Sequence, residues 1–442
     1  MVIEIINHFA KSNRVAIIDN DVEFSYANLS DKIFEFSQFL KQNGVKPGEI
    51  VAMRGKYSFE NIALFLALYQ NKNIITLLPN QSQINNYLNS SNSNKLITCE
   101  RDIINLNPQI SEQITTKLKG QSGLILFSSG TLGIPKAILH SLDRLIQSHK
   151  GKKERNLKVL LFLLFDHIGG INSLLLGLCG GLTLIIAKDF TPQNICKNIE
   201  KFGVNILPTT PSFLNLLLLS NECQKNNLSS LKLITYGTEP MNEGLLKRLK
   251  TTFPKVKFSQ TFGTSETGIL QTVSKSSNSI RFKLPKSEYK IIDGKLFLRS
   301  DTMFLGYLNN NDINANNINN KEWFDTGDLV CLDKDGFLQI LGREGQMINV
   351  AGNKLLACEV ESCIMELEEI KDVIVYGQKS LITGQMVVCD VVSHLDENTI
   401  KELVKSHCKA RLERYKVPLK VNLVNQIELT KRFKKSRKQT QS

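Results

Sequence analysis

Cysteine occurs in this chain without any spacing that would give it a structural task. The nine cysteines (Cys99, Cys179, Cys196, Cys223, Cys331, Cys358, Cys363, Cys389 and Cys408) include no CxxC pair and are odd in number. That pattern argues against a disulfide framework and for reduced, mostly buried thiols in a cytosolic protein. No Cys/His group has ligand spacing, so a zinc site is not expected. The opening MVIEIINHFAKSNR lacks a basic leader followed by an apolar run, and no secretory signal is expected from it. Long hydrophobic runs are missing too. The best membrane candidate, 171–187, is short of a full span and is broken by Asn172, Ser173, Gly177, Gly180, Gly181 and Thr183. It reads as a buried helix, a turn and a strand. No internal repeat is evident.

What is present is ordinary for a globular protein: 42% hydrophobic and 22% charged residues in 442 positions. The length corresponds to about two to four domains, enough for a sizeable core without a metal or disulfide staple. Net charge is +13, but 401–442 alone carries 13 Lys/Arg against 3 Glu, so the basic character is local to the tail. Its KRFKKSRK string suits a nucleic-acid or anionic-membrane patch, or a solvated end.

Helix and strand patterns alternate from the start. Val15 to Asp19 reads as a strand. Leu29, Ile33, Phe36 and Leu40 recur at helical spacing, with Gly44 as the C-terminal stop. Ile50 to Met53 is a strand, 58–70 a helix and 74–78 a strand, which argues for helices layered on a largely parallel sheet. Buried strands are expected at 123–127, 158–165 and 181–187, and a helix after Pro211 through 214–219. The Asn- and Ser-rich stretches 81–95 and 309–320 read as loops. After Gly336 a strand at 337–341 gives way to a break at 342–345, where a domain boundary is placed.

The strongest chemical signal is 127–137, FSSGTLGIPKA. A strand empties into a loop with Gly130 and Gly133, hydroxyls at Ser128, Ser129 and Thr131, and Lys136. Glycines let backbone N–H groups approach an anion, hydroxyls donate to phosphate oxygens and the lysine supplies charge. This is a polyphosphate cradle, distinct from the Walker loop, which needs Lys-Ser/Thr directly after the second glycine.

The segment resembles the phosphate loop of the adenylate-forming superfamily, which comprises acyl-CoA synthetases, luciferases and peptide-synthetase adenylation domains. Further segments resemble that family in order. LFDHIGG (164–170) is similar to its histidine-bearing segment, which would set His167 beside the acyl carboxylate. TYGTEP (235–240), with Gly237, Thr238 and Glu239, resembles the adenine-binding strand end. TFGTSETG (261–268) resembles the segment in which Phe262, Gly263, Thr264 and Ser265 would line the nucleotide and Glu266 would hold Mg²⁺. A lone carboxylate near polyphosphate suits Mg²⁺, which takes few protein ligands. WFDTGDL (323–329) would place Asp328 on the ribose hydroxyls, followed by a turn at 333–337 and by Arg343 as a second ribose or phosphate contact. GREGQMINVAGNKLLACEVE (342–361) resembles the joint between domains, with Gly345 at the hinge. TKRFKKSR (430–437) is similar to the terminal motif TxxGKxxR, making Lys434 the catalytic lysine; Lys435 stands one register away. Departures are Leu132 for a threonine, Ala137 for a glycine, Asn349 for a lysine, Ala357 for a proline and Phe433 for the glycine before the lysine.

The resemblance implies an α/β fold: a large N-terminal domain of layered α/β sheets with a small β-barrel part over 1–344, then a small mobile α+β C-terminal domain over 345–442. It implies a ligase that joins a carboxylic acid to AMP from ATP and Mg²⁺, with Thr131, His167 and Lys434 in the chemistry, and then passes the acyl group to coenzyme A or an acyl carrier protein. A cytoplasmic protein with no nucleic-acid partner and no membrane span is expected. Two alternatives stand beside this reading: an amino-acid- or acyl-activating enzyme that loads a separate carrier protein, and a catalytically silent nucleotide-binding scaffold.

Overall fold

The computed structural model describes residues 1–79, 84–106, 112–128, 135–284, 288–308, 318–319, 323–430 and 433–436. Two seven-stranded sheets carry the first half. In the first, Lys257–Gln260, Leu233–Tyr236, Ile206–Thr209, Lys158–Leu161, Thr183–Ile186 and Val15–Asp19 run parallel, with Val22–Ser25 antiparallel at the edge. In the second, Gly123–Ser128, Ile74–Leu78, Ile50–Arg54 and Lys95–Ile97 are parallel, with Lys136–Ser141 and Ile103–Asn105 antiparallel on the two flanks and Gly306–Tyr307 paired antiparallel to Lys136–Ser141 at the edge. Strands covered on both faces are continuous aliphatic runs rather than alternating ones, and Ile74–Leu78 is buried at every position.

One core joins these sheets through the helices Tyr26–Gln42, Phe59–Gln70 and Ile168–Cys179. The first is amphipathic. It starts with a capping box between Ser25 and Asn28 and stops before Gly44, which takes φ +64°. The second is apolar on every side, as a helix between two sheets must be, and is buried from Asn61 to Tyr69.

A third seven-stranded sheet is antiparallel and includes Trp323–Leu332 beside Leu338–Arg343. The turn between them follows the sequence expectation: Asp333 Oδ1 accepts from the amides of Asp335 and Phe337, and Gly336 takes φ +76°. A short 3-10 turn, Glu344–Gln346, leads to a last five-stranded sheet built wholly from 347–423 with its own core. The fold is thus α/β with an antiparallel β part and a small α+β C-terminal part.

Several element assignments are corrected. Residues 81–95 hold a helix, Ile84–Ser91, and the strand Lys95–Ile97. Tyr87 packs edge-on against Phe127 at 4.8 Å and Leu88 is buried, and such packing overrides the poor helix propensity of Asn and Ser. The strand from Lys158 ends at Leu161, not Phe165, and that expected from 181 runs Thr183–Ile186. Gly342 and Arg343 belong to a strand, so the break is confined to 344–346. Of 309–320, only Ile318–Asn319 is described, as a strand paired with Trp323–Phe324. The 171–187 stretch is the expected helix, turn and strand. Among the described residues no helix is long and apolar enough to cross a membrane.

Candidate functional site

Ser128 and Lys136 are register partners at the ends of adjacent antiparallel strands, so the sheet itself closes the loop between them. Ser129, Gly130, Thr131, Leu132 and Gly133 lie outside the described residues. Lys136 Nζ sits 5.7 Å from the centre of the Tyr307 ring, and Tyr307 Oη donates to Glu266 Oε1 at 2.9 Å. The putting together of a loop lysine and the Glu266 carboxylate on two sides of one tyrosine was not legible in the sequence, because Tyr307 belongs to no motif there.

Glu266 projects from a tight turn between the strands Phe262–Thr264 and Gly268–Leu270. The Thr264 hydroxyl accepts from the amides of Glu266 and Thr267, and the Thr267 hydroxyl accepts from the amide of Thr264. These hydroxyls shape the turn, a task the sequence had not assigned to Thr264. A Cβ on Gly263 would lie 2.1 Å from the carbonyl oxygen of Gly268, so glycine is required by close approach. The carbonyl of Ser265 accepts from His140 Nε2 at 2.7 Å. His140 lies on the strand that begins with Lys136, so this bond ties the loop strand to the Glu266 turn. Burial lowers the His140 pKa to about 4, which keeps the ring neutral near pH 7.

A cavity of about 610 Å³ opens between the antiparallel sheet, the end of the first parallel sheet and the C-terminal part. Thr238, Glu239, Phe262, Gly263, Asp328, Arg343 and Lys434 all line it. Gly237 stands where the Leu233–Tyr236 strand ends, and a Cβ there would lie 2.5 Å from Thr261 Oγ1. Thr238 follows with φ +71°. Glu239 accepts from the Ser212 amide at 3.0 Å, and burial raises its pKa while that bond opposes the rise. Asp328 and Arg343 are register partners, with Arg343 Nε donating to Asp328 Oδ1 at 3.0 Å. Burial raises the Asp328 pKa, against the pull of Arg343 and, more weakly, of Lys434.

The two tail lysines are distinguished by geometry. Lys435 Nζ donates to Asp372 Oδ1 at 2.6 Å and to the Val373 carbonyl at 2.7 Å. Both lysines line the cavity and both charges act on Glu239, that of Lys435 the more strongly, while the charge of Lys434 also acts on Asp328. Asp372, like Asn215 and Met241, carried no motif signal, since these residues reach the cavity only through tertiary packing.

Other expected residues stand apart from that cavity. His167 is the N-cap residue of Ile168–Cys179, with Nε2 3.9 Å from Asp166 Oδ1, and is not among the residues lining the cavity. Gly345 sits in the 3-10 turn, where an added Cβ would meet nothing within 4 Å, so this conformation does not require glycine. All nine cysteines are free thiols. Sequence spacing gave no metal cluster, yet Cys363, Glu366 and His407 bring ligand atoms within 4.8 Å of one another. Glu366 there is already paired with Arg411 Nε at 3.0 Å, and His407 Nε2 is hydrogen-bonded to the Cys363 carbonyl at 3.0 Å.

The AMP-binding enzyme family matches residues 113–308, and the AMP-binding enzyme C-terminal domain matches 359–434. Acyl-CoA synthetase 7 of Caenorhabditis elegans is 24% identical over 93% of this chain and 88% of its own length. 4-Coumarate–CoA ligase 1 of Arabidopsis thaliana is 27% identical over 63% of this chain, and the match spans 56% of that protein. Among solved structures, the anthranilate CoA ligase AuaEII in complex with anthranoyl-AMP superposes with a TM-score of 0.84 over 98% of this chain and 95% of its own, at 19% identity. This chain belongs to the adenylate-forming superfamily of AMP-binding enzymes.

Proposed function

We propose that the chain is an AMP-forming acid–thiol ligase with coenzyme A as the acyl acceptor. The observation that carries this reading is the placement of Lys434 on the cavity wall with Asp328 and Arg343; Lys435, on the same wall, is bonded to Asp372.

A carboxylate is a poor electrophile until its oxygen carries a good leaving group. In the first step a carboxylate oxygen attacks the α-phosphorus of ATP, the bond to the bridging oxygen breaks and pyrophosphate departs. Positioning and charge stabilisation do most of the work in such a transfer. In this reading Ser128 and Lys136, with Ser129, Gly130, Thr131 and Gly133, hold the β- and γ-phosphates. Gly237, Thr238, Glu239, Phe262, Gly263, Thr264 and Ser265 pack around the base and phosphates. Asp328 accepts from the ribose hydroxyls, and Arg343 orients it. Lys434 stabilises the negative charge that builds between carboxylate and α-phosphate, and His167 stands at the acyl carboxylate. Glu266 fits Mg²⁺: it is a hard carboxylate donor on the same tyrosine as the loop lysine. Bound there, the ion would supply charge neutralisation to the phosphates.

In the second step the thiol sulfur attacks the acyl carbonyl, AMP leaves and the thiol proton is lost to solvent. The relatives named as CoA ligases support coenzyme A as the acceptor. We place the domain division at 344/345, with Gly345 as the hinge about which 345–442 turns between the steps. The free thiols support a cytoplasmic setting.

The test is pyrophosphate release by the purified protein with ATP and Mg²⁺ over fatty, aryl, short-chain and amino acids, with and without coenzyme A, beside Lys434→Ala. Acid-dependent release that the variant abolishes, with thioester formed only when coenzyme A is present, is expected. Release without thioester points to a carrier-protein acceptor, and no release with any acid defeats the reading.

A further inference from the structure

The residue before Lys434 is a phenylalanine in a conformation suited to glycine. Phe433 has φ +52°, in the left-handed region that side chains other than glycine, Asn and Asp seldom adopt. Its backbone closes a turn: its amide donates to the Thr430 carbonyl at 2.9 Å, and the Thr430 amide donates to the Lys434 carbonyl at 2.8 Å. Leu429 and Lys435 pair across that turn. Such a conformation persists only where the surroundings over-determine it, and here they do so through the ring.

The Phe433 ring enters an aromatic cradle formed by Phe162, Phe190 and Phe213, at centroid distances of 5.1, 6.1 and 5.3 Å. Phe162 and Phe190 follow the carboxyl ends of the parallel strands Lys158–Leu161 and Thr183–Ile186, and Phe213 lies in the first turn of the helix Pro211–Leu219. The geometries are tilted or edge-to-face, as aromatic rings prefer. Thr210 Oγ1 adds a hydrogen bond to the Phe433 carbonyl at 2.9 Å. On the other side of Lys434, Lys435 is fastened to Asp372 and Val373 of the C-terminal sheet. Lys434 is therefore flanked by one anchor on each part of the molecule.

We propose that Phe433 is a docking wedge: by seating in the Phe162–Phe190–Phe213 cradle it holds the tail turn against the large part and positions Lys434 in the cavity for the adenylation step. The proposal rests on the adenylation reading for its kinetic consequence but not for its structural one. Phe433 is a positioning residue; it acts through the neighbouring lysine. The wedge must leave its cradle whenever Lys434 leaves the cavity, so it favours the closed arrangement over any other.

Two measurements on the full chain test this, using Phe433→Gly, which suits the backbone but removes the ring, and Phe433→Leu, which keeps an apolar side chain. Hydrogen exchange without substrates is the first. Peptides covering 424–436 are expected to exchange roughly tenfold faster in Phe433→Gly, with Phe433→Leu in between; unchanged exchange in Phe433→Gly overturns the wedge. The second separates the half-reactions. Acid-dependent pyrophosphate exchange is expected to lose roughly ten- to a hundredfold in kcat with little change in KM for ATP, Phe433→Leu recovering part of it. Thioester formation from supplied acyl-adenylate is expected to keep its rate. Equal loss in both half-reactions overturns the positioning role. Should the wild-type chain adenylate no acid, the function reading fails, and hydrogen exchange still decides whether the wedge exists.

Discussion

Asp328 and Arg343 face each other as register partners on adjacent antiparallel strands, joined by an Arg343 Nε bond to Asp328 Oδ1 of 3.0 Å. The strand pairing fixes the carboxylate before any ligand arrives, so little ordering remains to be done on binding. Asp328→Asn keeps the shape and removes an ionised acceptor. Hydrogen bonds to charged groups are worth about 1.5–3 kcal/mol, so kcat/KM for ATP should fall roughly ten- to a hundredfold. Burial raises the Asp328 pKa, hence its carboxylate is lost at a higher pH than an exposed aspartate would be. The acid limb of the kcat/KM profile should lie correspondingly high and should disappear in the variant; an unchanged limb would assign it to another group.

Adjacent lysines should respond differently to the same change. Lys434→Ala removes charge at the cavity, and loss of one stabilising group at a reacting centre costs about 2.7–4 kcal/mol. Adenylation should slow roughly a hundred- to a thousandfold, while ATP affinity measured by calorimetry stays nearly constant. Lys435→Ala releases Asp372 and should act more weakly, through loosening of the tail. A larger effect from Lys435→Ala would reverse the assignment of the two residues.

The Tyr307–Glu266 bond predicts a graded response to magnesium. Tyr307→Phe removes a donor 2.9 Å from the carboxylate and should raise the Mg²⁺ concentration for half-maximal activity by about tenfold. Glu266→Gln should raise it further, because the charge itself is gone. Titration of Mg²⁺ at fixed ATP distinguishes the two, and equal curves for both variants and the wild type would remove Glu266 from the metal role.

Buried histidines make the fold acid-sensitive in a defined window. Burial lowers both His140 and His149 to about 4. An unfolded histidine takes up its proton near pH 6.5. The unfolded chain therefore binds more protons between these values, and stability declines as pH falls from about 6.5 to about 4. Each histidine contributes at most about 3 kcal/mol to that loss. Urea midpoints at pH 7 and pH 5 should differ less in His140→Gln/His149→Gln than in the wild type.

Much of this molecule is written locally. The helix Tyr26–Gln42 announces itself through Leu29, Ile33, Phe36 and Leu40, and all four are buried. The 333–337 turn follows from Asp333 and Gly336 alone. The helix Ile84–Ser91 was not legible, because its cause is the packing of Tyr87 on Phe127, distant in the chain. Likewise, motif order singled out Asp328, Glu266 and Lys434, but not Tyr307, His140 or Asp372. Those three act by contacts between segments that no local pattern records.

The sequence by itself determined the alternation of helices and strands, the family and the residue types available for phosphate, ribose and carboxylate chemistry, because periodicity and motif spacing are properties of neighbours along the chain. Only the tertiary structure decided which tail lysine is fastened to Asp372, and why a phenylalanine can stand before the other. Lys434 and Lys435 are alike in charge and one position apart; what separates them is Asp372 on one side and three phenylalanine rings on the other, brought there by sheets whose strands are far apart in sequence.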